Sequence, residues 1–313
     1  MAMTDCSGNT TDAAKFLLIG LQVVPQLKTV LFVIFFIFYL LTVSGNVLII
    51  VTVYLQANLH SPMYLFLTNL SLLDVCAISN VMPTLLGGLL TKIHIISSSS
   101  CLTQYFLFSW IIIAECFLLT IMAYDRYVAI CFPLHYTALM DQRHCIQLAA
   151  GSCVTSFLVV AFVHSLVSML QFFGINTLDH FFCDLEPLLK VTCSDTTRIK
   201  VFVYLLTAGV ALIPFVFIII SYLYIILAIL KIASNDGRRA AFSTCSSHLV
   251  VVSMFFGSLI IMYEAPSMGF SLNSNKALSL LYTVGTPMTN PIIYALRNKA
   301  IMEASIKLLR KLL

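Results

Sequence analysis

Residues 122–131 read MAYDRYVAIC. Asp125 and Arg126 stand side by side at the end of an apolar run, residues 98–124, whose one other charge is Glu115. Ionisable side chains are costly in hydrocarbon and persist there only with a partner or at an edge. Outward from this pair the whole chain has the same character. Of its 313 residues, 60% are hydrophobic and 10% charged, whereas soluble domains are roughly a quarter charged. Such an excess of apolar residues must face lipid, which makes the chain an integral membrane protein. Its net charge of +4, with no Lys/Arg cluster, offers nothing to nucleic acid.

A hydrocarbon core about 30 Å thick needs roughly 20 apolar residues in helix. Seven segments qualify, near 27–55, 60–90, 98–131, 144–168, 199–231, 239–263 and 275–296. Polar breaks such as LQANLHSP, SSSSC and SNDGRR separate them. Barrel strands would alternate apolar and polar residues, so the spans are helical. The first 25 residues lack a basic start followed by a long apolar core, and the first span is expected to serve as an uncleaved anchor.

Lys and Arg set the orientation. With the N-terminus outside, ten lie inside (Arg126, Arg143, Lys231, Arg238, Arg239, Arg297, Lys299, Lys307, Arg310, Lys311) and seven outside, among them Lys190, Lys200 and Lys276. The sequon at Asn9 agrees, because glycosylation occurs on the lumenal side. So do Cys6, Cys101, Cys183 and Cys193, which then face the oxidising side. The expected organisation is an outer tail (1–26), a seven-span body (27–296) and a cytoplasmic segment (297–313). In that last segment Ile301, Ala304, Ile306, Leu308, Leu309 and Leu312 form an apolar stripe beside basic residues, suited to the anionic leaflet. The localisation implied is the plasma membrane, multi-pass, with a cytoplasmic C-terminus.

Five blocks narrow the reading further: LHSPMYLFLTNLSLLD (59–74), MAYDRYVAICFPLHY (122–136), SYLYIIL (221–227), AFSTCSSHL (241–249) and PMTNPIIYALRN (287–298). In this order and spacing they resemble the olfactory receptors, within the rhodopsin-like G-protein-coupled receptors. The resemblance implies an all-α seven-span bundle that binds a small odorant outside and activates a stimulatory heterotrimeric G protein inside, raising cAMP. It implies no enzyme activity and no resident cofactor apart from an allosteric sodium ion.

The resemblance also assigns roles. Arg126, held by Asp125 at rest, is freed when the sixth span swings out, with Tyr127, Tyr222, His248, Asn290, Pro291 and Tyr294 completing the switch. Asp74 and Glu115 lie near mid-membrane with Asn46 and Asn290, where a sodium ion, a shared proton or a polar knot are the alternatives. Ligands of such receptors bind between the outer halves of the third, fifth, sixth and seventh spans. Stepping outwards from Arg126 by helical turns gives Tyr105, Phe108, Ser109, Ile112 and Ile113. Motif matching adds Val203, Leu206, Thr207, Val210, Phe256, Leu259, Ile260, Tyr263 and Thr283. This lining suits a small, neutral, largely apolar molecule held by one or two hydrogen bonds. There is no carboxylate at Phe108 to pair an amine, and no lysine in LSLLYTVGTPMTN for a Schiff base. His164 is open between pocket and packing.

Cys101 and Cys183 are expected to be disulfide-bonded. Phe173 stands where such receptors carry a further cysteine, which leaves Cys193 to pair with Cys6 or stay free. Phe256 replaces a usual tyrosine and Ala240 a usual lysine. Ser305 is the one serine after residue 296. A transporter would show half-repeats and more intramembrane charge. An intramembrane enzyme would need a nucleophile–base or metal constellation, and the sequence has no H-E-x-x-H and no comparable mid-membrane His/Cys/Asp cluster.

Overall fold

The computed structural model describes residues 15–91, 94–172, 174–232, 234–264, 272–297 and 299–312. Asn9, Cys6 and Phe173, and the expectations attached to them, lie outside the described residues.

Six helices are long and apolar enough to cross a membrane among the described residues. They lie in α1 (Pro25–Leu55), α2 (Pro62–Leu90), α3 (Ser98–Cys131), α5 (Gln142–Ser168), α7 (Thr197–Leu230) and α8 (Asn235–Glu264). The seventh span is built from α9 (Leu272–Leu280), a π turn (Leu281–Gly285) and α10 (Thr286–Arg297). Local chemistry sets the starts. Pro25 and Pro62 occupy first-turn positions, where a missing N–H costs nothing. Ser97 accepts from the Ser100 N–H, and Asp141 from that of His144, capping α3 and the fourth span. Short helices fill the loops at opposite ends of the bundle: α4 (Tyr136–Leu139) at the end that carries Arg126 and α6 (Leu185–Val191) at the other.

The first span approaches the seventh so closely that a Cβ on Gly45 would lie 3.2 Å from Pro291 Cβ. Asn46 is buried there, and its amide donates to the carbonyls of Thr42 and Pro287. α11 (Lys299–Leu312) folds under the bundle. It buries Ile301 and Ser305, whose hydroxyl meets that of Thr52 at 3.1 Å. Ile306, by contrast, stays exposed and is not on the packed face.

The described part of the N-terminal segment, from Lys15 onward, is more structured than an unpaired tail. Strand β1 (Lys15–Leu18) lies between β2 (His94–Ser97), antiparallel, and β3 (Ile175–Leu178), parallel. Phe16 and Leu18 face inward, buried over the outer ends of the third and fourth spans. Gly20, at φ +66, turns the chain off the strand. Its carbonyl accepts from Lys276 Nζ at 2.9 Å, and the same ammonium meets Asp179 Oδ1 at 2.5 Å. One buried lysine of the seventh span therefore ties down both the tail and the second outer loop.

Candidate functional site

A cavity of about 190 Å³ opens among the outer halves of the spans. Ten of the fourteen sequence-selected residues line it: Tyr105, Phe108, Ser109, Ile112, Ile113, Val203, Leu206, Thr207, Val210 and Leu259. The third span supplies five of them at i, i+3, i+4 spacing, as one helical face must. Phe108 anchors the inner wall edge-on, 5.1 Å from the Phe182 ring centroid and 5.7 Å from that of Tyr282.

Three of the other four selected residues do not line it. Phe256 is buried but packs on Phe215 and Phe255. Ile260 turns outward and is 45% exposed, since one residue along a helix rotates a side chain by about 100°. Thr283 is buried and donates to the Ser279 carbonyl. Tyr263's side chain lies outside the described residues. The π turn explains why Tyr282, rather than Thr283, reaches the cavity: a wider turn shifts the register of every later side chain.

Sequence reasoning missed three contributions. The fourth span adds Val159, Val160 and Val163. The second outer loop adds Asp184, Leu185, Glu186 and Leu189, and the fifth span adds Lys200. The cavity therefore has an apolar body and a charged outer end. Burial pushes the Asp184 carboxyl up to about 6, against the opposing Leu185 N–H that it accepts at 2.7 Å. Glu186 is paired with Lys190 at 2.6 Å.

The loop is fixed from below. Cys101 and Cys183 are disulfide-bonded, as expected. Gln104 gives its amide to Asn80 O and Thr84 Oγ1, both at 2.8 Å, and accepts the Cys183 N–H at 3.0 Å. That glutamine ties the second span, the third span and the loop together. Cys193 is itself disulfide-bonded, not free. His164 stacks on Tyr105 and meets Phe106 edge-on, so it supports the wall and does not line the cavity.

At mid-membrane, Asn290 Nδ2 donates to both oxygens of Asp74, each at 3.0 Å. Glu115 is buried and interacts electrostatically with Asp74. Among the described residues, the buried Asn46 Oδ1, Glu115 Oε1 and Asn290 Oδ1 have no hydrogen-bond partner.

At the inner end, Arg126 donates to Asp125 through Nε at 2.9 Å and through Nη2. Tyr136, on the inner loop, donates to the other Asp125 oxygen at 2.8 Å. Asp125, Arg126, His248 and Tyr294 line one small inner cavity with Met63 and Met122. The Tyr222 hydroxyl meets His248 Nδ1 at 2.6 Å. Tyr127 stands apart, its ring packed against Phe132 and Tyr224.

A family model described as Olfactory receptor matches residues 35–311. The chain belongs to the olfactory receptor family. It is 44% identical to mouse (Mus musculus) olfactory receptor 5G26 over 97% of this chain and 95% of that one. Rat (Rattus norvegicus) olfactory receptor 1468 and human (Homo sapiens) olfactory receptor 11A1 are each 44% identical over 97% of this chain and 96% of theirs. The crystal structure of squid rhodopsin superposes with a TM-score of 0.71, covering 90% of this chain and 80% of that one at 18% identity. This olfactory receptor is thus a multi-pass membrane receptor with a rhodopsin-like seven-helix fold, not an enzyme.

Proposed function

We propose that the receptor binds a small, largely apolar odorant in the outer cavity and, from the plasma membrane with its N-terminus outside, activates a stimulatory heterotrimeric G protein to raise cAMP. The observation that carries the ligand reading is the cavity itself. Its body is aliphatic and aromatic, with Ser109, Thr207 and the tyrosines Tyr105, Tyr204 and Tyr282 bringing hydroxyls to its lining. A ligand gains by leaving water for such a wall, and one or two hydrogen bonds orient it. The charged outer end extends the sequence expectation of a neutral ligand: Asp184 and Lys200 can read a polar group on the molecule.

The inner reading rests on the Asp125–Arg126–Tyr136 cluster. A buried cation keeps its partner unless another is offered. In the resting arrangement Asp125 holds Arg126, and Tyr136 holds Asp125. A G protein that presents acceptors to Arg126 would compete for it once the sixth span moves. Tyr222 and His248 link the fifth and sixth spans at this level, so their bond must rearrange in that movement.

Between the two ends, Asn46 Oδ1, Glu115 Oε1 and Asn290 Oδ1, with the Asp74 carboxylate, are oxygens of the kind that would hold a sodium ion. Sodium there would let two carboxylates stay ionised together; a proton on Glu115 is the alternative chemistry. Either way, the layer stiffens the junction of the second, third and seventh spans.

The test is a cAMP assay in cells expressing the chain with a stimulatory G protein, screened against a chemically diverse odorant panel. Expected are at least one agonist, loss of its response in Ser109→Val or Ile112→Trp, and loss of coupling in Arg126→Ala. A ligand-dependent response that survives Arg126→Ala unchanged would sink the switch mechanism.

A further inference from the structure

A second large cavity lies at the opposite end of the bundle. A groove of about 500 Å³ runs between the inner ends of the fifth and sixth spans. Its walls are Ile226, Leu230 and Phe242 over a buried Ile229, and its rim carries Asn235, Arg238 and Arg239. We infer that this groove binds an anionic phospholipid of the cytoplasmic leaflet, with the acyl chain along the apolar wall and the phosphate on the two arginines.

The groove faces lipid, not the interior of the bundle. Leu230 and Phe242 are 62% and 59% exposed, and Ile226 and Leu230 continue the outward face of α7 that carries Leu223 and Leu227. The switch residues Arg126, His248 and Tyr294 line a separate cavity, so the groove is not the cleft in which Arg126 would meet a G protein.

The arginines are placed and available. The Ser234 hydroxyl accepts the Gly237 N–H at 3.1 Å, and the Ser234 carbonyl that of Arg238, which starts the sixth helix within a few residues of the end of the fifth. Arg238 Nη2 also donates to the Ile232 carbonyl at 3.1 Å, which fixes its guanidinium across that short loop. Among the described residues neither Arg238 nor Arg239 is paired with a carboxylate. Guanidinium forks match phosphate oxygens. Positive charge at the rim and hydrocarbon below it are complementary to the headgroup and acyl chain of an anionic phospholipid. The walls belong to two spans, so movement of the sixth against the fifth alters the site. By linkage, lipid binding then biases that movement.

The assignment to the cytoplasmic leaflet rests on the proposed topology. The test therefore uses the full-length receptor in nanodiscs, whose two faces carry the same lipid, so binding is read whatever the orientation. A C-terminal tag's accessibility in intact cells reads the orientation separately. Phosphatidylserine and phosphatidylcholine, each with a photoreactive acyl chain, are added at trace level to neutral nanodiscs, and cross-linked peptides are mapped. Expected is enrichment of the phosphatidylserine cross-link on peptides covering 223–242, falling about five-fold for each arginine removed in Arg239→Gln and in Arg238→Gln/Arg239→Gln. Arg239→Gln leaves the Arg238–Ile232 bond in place and decides the matter should the double variant not fold, with folding judged by the Cys101–Cys183 bond and a monodisperse profile. Equal labelling by the two lipids, or labelling unchanged in Arg239→Gln, would overturn the inference. So would full competition by soluble glycerophosphoserine, which would reduce the site to a headgroup site. Labelling displaced by added G protein in Arg239→Gln and wild type alike would assign the surface to that protein instead.

Discussion

Lys276 offers a sharp test of how the outer face is held together. The side chain is 3% exposed, and its ammonium is shared between the Gly20 carbonyl and Asp179. Lys276→Met keeps the volume and removes the charge, leaving both acceptors unpaired. Breaking a fully buried ion pair costs about 3–5 kcal/mol. Asp179 is 32% exposed and regains part of its hydration, so about 2–3 kcal/mol is the expected loss. That loss is local. The amides of Ile19 and Gly20 donate to the carbonyls of Leu178 and His180, on the strand and loop that Lys276 clamps.

Hydrogen exchange at those two amides should therefore speed up by about 30- to 150-fold in Lys276→Met. Amides in the middle of the third span should not change. Asp179→Asn should reproduce part of the effect, and the double variant should cost less than the sum of the singles. His180 adds a pH signature. Burial first, and the Lys276 charge second, hold its imidazole down at about 4. A base depressed in the folded state contributes stability above its ordinary value near 6.5 and loses it as pH falls towards 4. Without Lys276 the imidazole is less depressed, so that acid loss should be smaller and level off at a higher pH. Unchanged exchange at Ile19 and Gly20, or strict additivity with Asp179→Asn, would refute the clamp.

Other perturbations reach the pocket and the switch. Asp184 is raised to about 6, so its ionisation disfavours the folded state and stability falls as pH rises from about 4 through 6; Asp184→Asn should remove that component of a thermal-stability profile while keeping the cap on α6. Tyr136→Phe removes the hydrogen bond that steadies Asp125, and basal cAMP should rise several-fold at equal surface expression. Glu115→Gln should abolish any dependence of thermal stability on sodium concentration; a sodium effect equal to wild type would exclude Glu115 from the site. Non-reducing peptide mapping should recover Cys6 linked to Cys193, and an alkylated Cys6 would rule that pairing out.

The spans were legible in the sequence because each rests on a local cost, whereas the disulfide and the inner switch were read from the family resemblance. Hydrocarbon thickness sets helix length, and a charge in an apolar run must sit at an edge or find a partner. Five pocket residues on the third span were legible for a related reason: helical periodicity carries position outward from Arg126 without tertiary information, whereas Val203, Leu206, Thr207, Val210 and Leu259 came from motif matching to the family. The failures mark where periodicity stops. The π turn moved Tyr282 into the place expected for Thr283, and a one-residue error turned Ile260 to the outside. Asp184 and Glu186 reach the cavity because Gln104 and a disulfide pull a loop inward, which no local pattern announces. KFLL is four residues long and pairs with 94–97 and 175–178, so its strand exists only once the outer loops have met.

The third span joins the two ends of the proposed mechanism, and its contents constrain how they communicate. Ile112 and Cys116 line the ligand cavity, and Glu115 lies between them in sequence on the buried side. From Glu115 to Arg126 is eleven residues, about 16 Å of helix, packed through Leu118, Leu119 and Met122 in the main core. Apolar packing of that density has few alternative arrangements. The polar layer does have alternatives: Asn46, Glu115 and Asn290 hold acceptor oxygens without protein partners, and Asn290 is committed to Asp74. Four residues further along the seventh span, Tyr294 lines the switch cavity with Arg126. A change at the cavity floor therefore meets, one turn inward, the part of the bundle best able to exchange partners, and the seventh span carries that exchange to Tyr294. The polar layer is where ligand occupancy should be converted into motion, which is why sodium dependence and basal activity are expected to change together in Glu115→Gln.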